Sequence, residues 1–153
     1  MIKILFICHG NICRSPMAEY IMKDLVKKAG REKEFLIASA ATSMEEYGNP
    51  MYPPARRILR EHGIMEDEHR ARRMERTDYR KYDYLIAMEQ YNIRNMMRIL
   101  GGDPEKKIFR LLDFTEHPAD IDDPWYTDDF ETAYREIDQG CRALLLQLSE
   151  KSR

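Results

Sequence analysis

The chain has 153 residues, with 25 Lys and Arg against 27 Asp and Glu, a formal net charge of −2 and a hydrophobic share of 43%, the balance of one folded globular domain rather than a disordered chain. No apolar run approaches the roughly 18 residues that cross a bilayer, and Met1–Ile7 is too short for a secretory leader. The near-neutral total argues against nucleic acid as partner, and three cysteines build no disulfide framework. These counts lead us to expect one domain over residues 1–153, cytoplasmic, with neither membrane nor nucleic acid as partner.

Strand and helix signals alternate along the chain. Ile2–Ile7 is apolar apart from Lys3, as in a strand buried on both faces of a parallel sheet. A helix follows, with Ser15 as N-cap, Pro16 at its first position and Gly30 near its stop. Phe35–Ala41 reads as a second strand. Pro53 and Pro54 open a helix that Gly63 closes, Tyr84–Met88 is a third strand, and the helix after it stops at Gly101-Gly102. Ile108–Leu112 reads as a short fourth strand. Thr127 caps the last helix, whose apolar stripe includes Phe130, Tyr134, Ile137, Cys141, Leu144 and Leu148. The alternation predicts an α/β fold: a doubly wound parallel sheet with helices on both faces, its ligand site beyond the C-terminal ends of the strands.

The segment at that place is Cys8-His9-Gly10-Asn11-Ile12-Cys13-Arg14-Ser15-Pro16. It joins a buried strand to a helix N-terminus, where free backbone N–H groups favour an anion. Gly10 and Asn11 tolerate left-handed backbone angles, so the loop can turn its amides inward. Arg14 adds a planar fork for two phosphate oxygens. Cys8 faces the same centre, where amides, arginine and helix end stabilise negative charge on sulfur. Ser15 serves either as a cap or as a hydrogen-bond donor to that sulfur. No G-x-x-x-x-G-K-[ST] string is present, which excludes the Walker-type nucleotide loop.

A covalent phosphocysteine route also needs an acid for the leaving oxygen. Residues 113–131 hold eight acidic residues and no Lys or Arg, and composition does not choose among them. Asp123 differs in preceding Pro124, which restricts its backbone to an extended form. Trp125 and Tyr126 follow, as loop packing or as a wall for an aromatic ring. Nine basic and six acidic residues between Arg56 and Lys81 read as a solvated surface. Three Cys and four His show no paired ligand spacing for zinc.

The string Cys8–Glu19 resembles the signature of the low-molecular-weight protein tyrosine phosphatases. Ser39–Ser43, Gly48, His62–Ile64, Tyr82–Tyr84, Met88-Glu89 and Asp123–Tyr126 follow in that family's order and approximate spacing. The resemblance implies a doubly wound four-stranded parallel sheet and hydrolysis of phosphotyrosine-containing proteins through a phosphocysteine, with no metal and no cofactor. It implies Cys8 as nucleophile, Asp123 as general acid, and Arg14 with the amides of His9, Gly10, Asn11, Ile12 and Cys13 as phosphate ligands. Asn11 would be braced by Ser39 and His69, and Cys13 would be the redox partner of Cys8. Trp125 and Tyr126 would form one wall of the substrate slot, and the Met44–Tyr47 stretch, Tyr47 included, the opposite rim. Tyr126 would be the target of a tyrosine kinase. Glu45 departs from the large apolar side chain often found at its place, which implies a more open or acidic rim. Arsenate reductases on this scaffold relay oxidation through cysteines that this chain lacks between Cys13 and Cys141. Protein arginine phosphatases tend to carry threonine where Ile12 stands. A phosphate-binding module without turnover would need neither Cys8 nor Asp123.

Overall fold

A computed structural model describes residues 1–151, the last two by backbone only. Strands β1 (Ile2–Cys8), β2 (Phe35–Ala41), β3 (Tyr84–Ala87) and β4 (Ile108–Arg110) form one sheet in the order β2-β1-β3-β4. Every pairing is parallel. Ile4, Leu5, Phe6 and Ile7 of β1 are fully buried, as the unbroken apolar run predicts for a central strand. Alternate residues face opposite sides. Ile4, Phe6 and Cys8 pack with α1 (Arg14–Lys28), α2 (Pro53–Glu61) and α6 (Phe130–Lys151). Leu5 and Ile7 face the layer of α3 (Asp78–Lys81) and α4 (Gln90–Leu100). The fold is therefore the doubly wound α/β sheet expected, with helices on both faces.

The chain leaves β1 toward β2 on one side and returns to β3 on the other, so a crevice opens at the C-terminal end of β1. That crevice receives the loop 8–14. Its closing helix departs from expectation: α1 begins at Arg14 with Cys13 as its cap residue, and Ser15 lies inside the first turn. The Ser15 hydroxyl is engaged by Cys8 and Asn11 instead, so no side chain caps this helix. Strand β4 is shorter than predicted, because the Asp113 carboxylate accepts the Arg110 N–H at 3.0 Å and Leu111–Phe114 turns into a 3-10 helix. Thr127 does not cap the last helix. It ends the short helix α5 (Pro124–Thr127), and Asp129 caps α6 by accepting the Thr132 N–H at 3.0 Å. Among the described residues no helix is long and apolar enough to cross a membrane.

Candidate active site

Strand β1 delivers Cys8, 3% exposed, to the floor of the crevice. Asn11 then takes φ 60°, a left-handed angle that asparagine accepts more readily than most residues. This turn aims the Asn11 N–H at the Cys8 Sγ, 3.3 Å away. The Ser15 Oγ lies 3.0 Å from the same sulfur. Asn11 Nδ2 donates to that Oγ at 2.8 Å, so the one hydroxyl proton of Ser15 is free to point at the sulfur. The local sequence thus gives the sulfur two donors.

Arg14, 2% exposed, is the largest fully buried side chain. Its Nη1 donates to Glu89 Oε2 at 2.6 Å and to the Ile121 carbonyl at 2.8 Å. Its Nη2 lies 3.3 Å from Asp123 Oδ2. Burial works against the guanidinium charge, but Cys8, Asp123 and Glu89 outweigh it and hold its pKa above the usual arginine value. Nη1 is thereby committed to the protein, and the Nη2 edge faces the acid.

Asp123 is the cap of α5, its Oδ1 accepting the Trp125 N–H at 3.0 Å, and Pro124 stands at the first helical position. Other carboxylates of this acidic stretch have structural employment. Asp113 and Asp120 pair with Arg110, and Asp129 caps α6. Cys8, Cys13, Arg14 and Asp123 line one cavity of about 110 Å³, together with His9, Gly10 and Ile12 of the loop. Trp125 and Tyr126 wall it on one side, and Glu45 and Glu46 on the other. The Trp125 ring is seated against Tyr52, with centroids 4.8 Å apart. His9 Nε2 and Glu45 Oε2 meet at 3.0 Å across the rim. Burial, reinforced by neighbouring Cys8 and Asp123, pushes the Cys13 thiol up and keeps it neutral.

Two placements differ from the sequence reading. Tyr47 is 65% exposed and does not line the cavity, because the 43–49 turn sends Glu45 and Glu46 inward instead. Ser39 does not touch Asn11; its hydroxyl donates to the buried carboxylate of Glu19 at 2.6 Å, a stronger acceptor than an amide oxygen. His69 does reach Asn11, through the main chain: Nε2–H donates to the Asn11 carbonyl at 2.7 Å. The side-chain Oδ1 of Asn11 accepts the Arg72 N–H at 3.2 Å. Glu89, which holds Arg14, belongs to no chemical motif of the sequence. Its signal was position alone, an acidic residue just past β3, the strand beside β1 at the crevice.

A thiol that accepts the Asn11 N–H and lines one cavity with a buried arginine, at the switch point of a doubly wound sheet, defines an α/β protein suited to holding an oxyanion against sulfur. The family model "Low molecular weight phosphotyrosine protein phosphatase" matches residues 3–153, and the chain belongs to that family. It is 40% identical to the low molecular weight protein-tyrosine-phosphatase YfkJ of Bacillus subtilis, over 99% of this chain and 98% of that one. The crystal structure of YfkJ superposes with a TM-score of 0.95, covering 100% of this chain and 98% of the other. The low molecular weight phosphotyrosine protein phosphatase of Gallus gallus is 35% identical, over 93% of this chain and 92% of its own. A Drosophila arginine phosphatase is 30% identical in a structure of TM-score 0.86, covering 96% of this chain and 98% of that one.

Proposed function

We propose that this single domain hydrolyses phosphotyrosine on cytoplasmic proteins by way of a phosphocysteine, without a metal ion or other cofactor. The observation that carries this reading is the convergence of Cys8, Arg14 and Asp123 on one cavity walled by Ile12 and Trp125. In the first step the Cys8 thiolate attacks phosphorus in line, the P–O bond to the tyrosyl oxygen breaks, and Asp123 gives that oxygen its proton. Arg14 and the amides of residues 9–14 hold the equatorial oxygens. Water then attacks phosphorus, Asp123 takes its proton, and the S–P bond breaks to release phosphate and the thiolate. Depth favours phosphotyrosine over phosphoserine, because only a long side chain reaches a sulfur this recessed. Cys13, on the same cavity, is the partner for a disulfide once an oxidant has converted Cys8 to a sulfenic acid, the S–S bond forming as water leaves. Tyr126, 82% exposed at the rim, is open to a tyrosine kinase.

Phosphoarginine is the second reading, favoured by the likeness to the Drosophila enzyme. The apolar Ile12 at the cavity suits an aromatic ring better than a guanidinium. The test compares phosphotyrosine, phosphoserine and phosphoarginine peptides in the presence of EDTA, for the native protein and Cys8→Ser. Fast turnover of phosphotyrosine alone, abolished in Cys8→Ser with phosphate binding retained, is the expected result. Preference for phosphoarginine, or loss of native activity on chelation, would overturn the reading.

A further inference from the structure

We propose that Arg72 and Asp78 form the outer brace of the phosphate loop, positioning residues that act through Asn11 on the two hydrogen bonds to the Cys8 sulfur. Asn11 is fully buried in a left-handed conformation, so its neighbours must fix it. One anchor is the Arg72 N–H, which donates to Asn11 Oδ1. Arg72 belongs to an irregular segment along the edge of β2. The Ala41 N–H donates to the Arg72 carbonyl at 2.7 Å, and the Met74 N–H donates to the Ala41 carbonyl at 2.8 Å.

What holds this segment from outside is a two-pronged ion pair. Arg72 Nη1 and Nη2 donate to Asp78 Oδ2 and Oδ1 at 3.1 and 3.2 Å. The Glu75 N–H donates to Asp78 Oδ2 at 2.7 Å, and Asp78 is only 6% exposed. A buried carboxylate with three donors, two of them from the fork of a partly exposed arginine, fixes a main-chain segment more firmly than a fully solvated pair would. Burial disfavours the charge on Arg72, and Asp78 more than restores it.

The far end of the brace reaches the sulfur, through one of the several loop amides proposed for phosphate. Asn11 supplies one donor to Cys8 directly and orients the other, Ser15. Arg14, the phosphate ligand, is secured separately by Glu89 and the Ile121 carbonyl. Loosening the brace should therefore slow the sulfur's chemistry more than it weakens phosphate binding. This step rests on the covalent role proposed for Cys8.

The experiment is a double-mutant cycle between Asp78→Asn and Asn11→Gly, chosen because glycine keeps the left-handed angle while deleting the strut. Para-nitrophenyl phosphate turnover, inhibition by inorganic phosphate and alkylation of Cys8 by iodoacetate are measured. Asp78→Asn is expected to lower kcat about tenfold, less than the roughly 10²-fold that a 1 Å misplacement of a reacting group costs, with the phosphate inhibition constant unchanged within about twofold. The double variant should be no slower than Asn11→Gly alone, since both lesions lie on one chain of contacts. Arg72→Lys, which keeps the charge and loses the fork, should move the same readouts in the same direction and serves if Asp78→Asn does not fold. Multiplying effects in folded variants, or unchanged kcat and alkylation, would overturn the brace. Alkylation needs no phosphotyrosine, so a failure of the proposed substrate is seen separately as native protein that is alkylated normally yet does not turn over phosphotyrosine.

Discussion

The two sides of the cavity are built to different standards of rigidity. On the sulfur side Cys8, Asn11, Arg14 and Ser15 are all buried, and each is held by a hydrogen bond to a second element or to a neighbour in the loop. On the acid side Trp125 is 51% exposed and Tyr126 82%, on a four-residue helix that Asp123 itself caps. A nucleophile and an oxyanion cup gain from fixed geometry, since dipoles that need no rearrangement stabilise the transition state best. An acid must reach solvent to exchange its proton and must let a ring pass. Under the proposed mechanism, the buried wall carries the nucleophile and the phosphate ligands, and the exposed wall combines proton transfer with admission of the substrate.

Asp123→Asn tests that division most severely. Asparagine can still accept the Trp125 N–H, so α5 keeps its cap while the acid is lost. Turnover of phenyl phosphate or phosphotyrosine should fall by about 10²–10⁴-fold, the usual contribution of a positioned acid. The loss should shrink for activated phenols, whose departing oxygen needs no proton. Equal losses across a series of leaving groups would show that Asp123 only holds the loop.

Glu89→Gln probes the stiff side and should cost less. The amide oxygen can still accept from Arg14 Nη1, and the Ile121 carbonyl remains as a second acceptor. What disappears is one partly buried negative charge next to a dianion's binding place. Phosphate should therefore inhibit more tightly, while kcat falls about tenfold, because a neutral amide oxygen holds the guanidinium less firmly than the carboxylate it replaces. Weaker phosphate binding in a folded variant would mean that Glu89 aligns Arg14 for the substrate and that its charge is secondary.

The stiff wall was also the more legible one, for a physical reason. Cys8 to Ser15 are contiguous, so a buried strand, a left-handed turn and a helix start are all local signals. Even there Ser15 was ambiguous, because a hydroxyl that can cap a helix can equally serve a thiol, and only the position of Asn11 decides. The partner of Ser39 is not legible because its acceptor, Glu19, lies on the helix α1 and competes with Asn11 through its charge. Tyr47 was misplaced because a turn, not a periodic element, sets which of its neighbours point inward. Arg72 and Asp78 lay inside a charged stretch that read as solvated surface, and nothing in six residues of irregular chain announces a bidentate pair. The contact from Arg14 to Glu89 crosses from the first strand's loop to the third's, where only tertiary structure brings them together.

His69 carries the smallest effect and joins the stiff side to overall stability. Burial lowers its pKa from the ordinary value near 6.5, with Lys23 and Arg70 adding to the fall while the Asn11 carbonyl and Glu19 oppose it. The unfolded chain therefore takes up this proton before the folded one does. Above 6.5 both states hold the ring neutral and the full stability is present. As the pH drops below that value, the unfolded state gains a proton that the native state refuses, and stability declines until the folded ring also titrates. The slope in that window is at most about 1.4 kcal/mol per pH unit for one such group. His69→Gln keeps a donor for the Asn11 carbonyl but cannot titrate. Urea unfolding of the two proteins above and below 6.5 should show the native stability falling more steeply on acidification. Parallel curves would mean that the ring charges without cost, and that the His69 contact to the loop survives acid because the site is wetter than its burial implies.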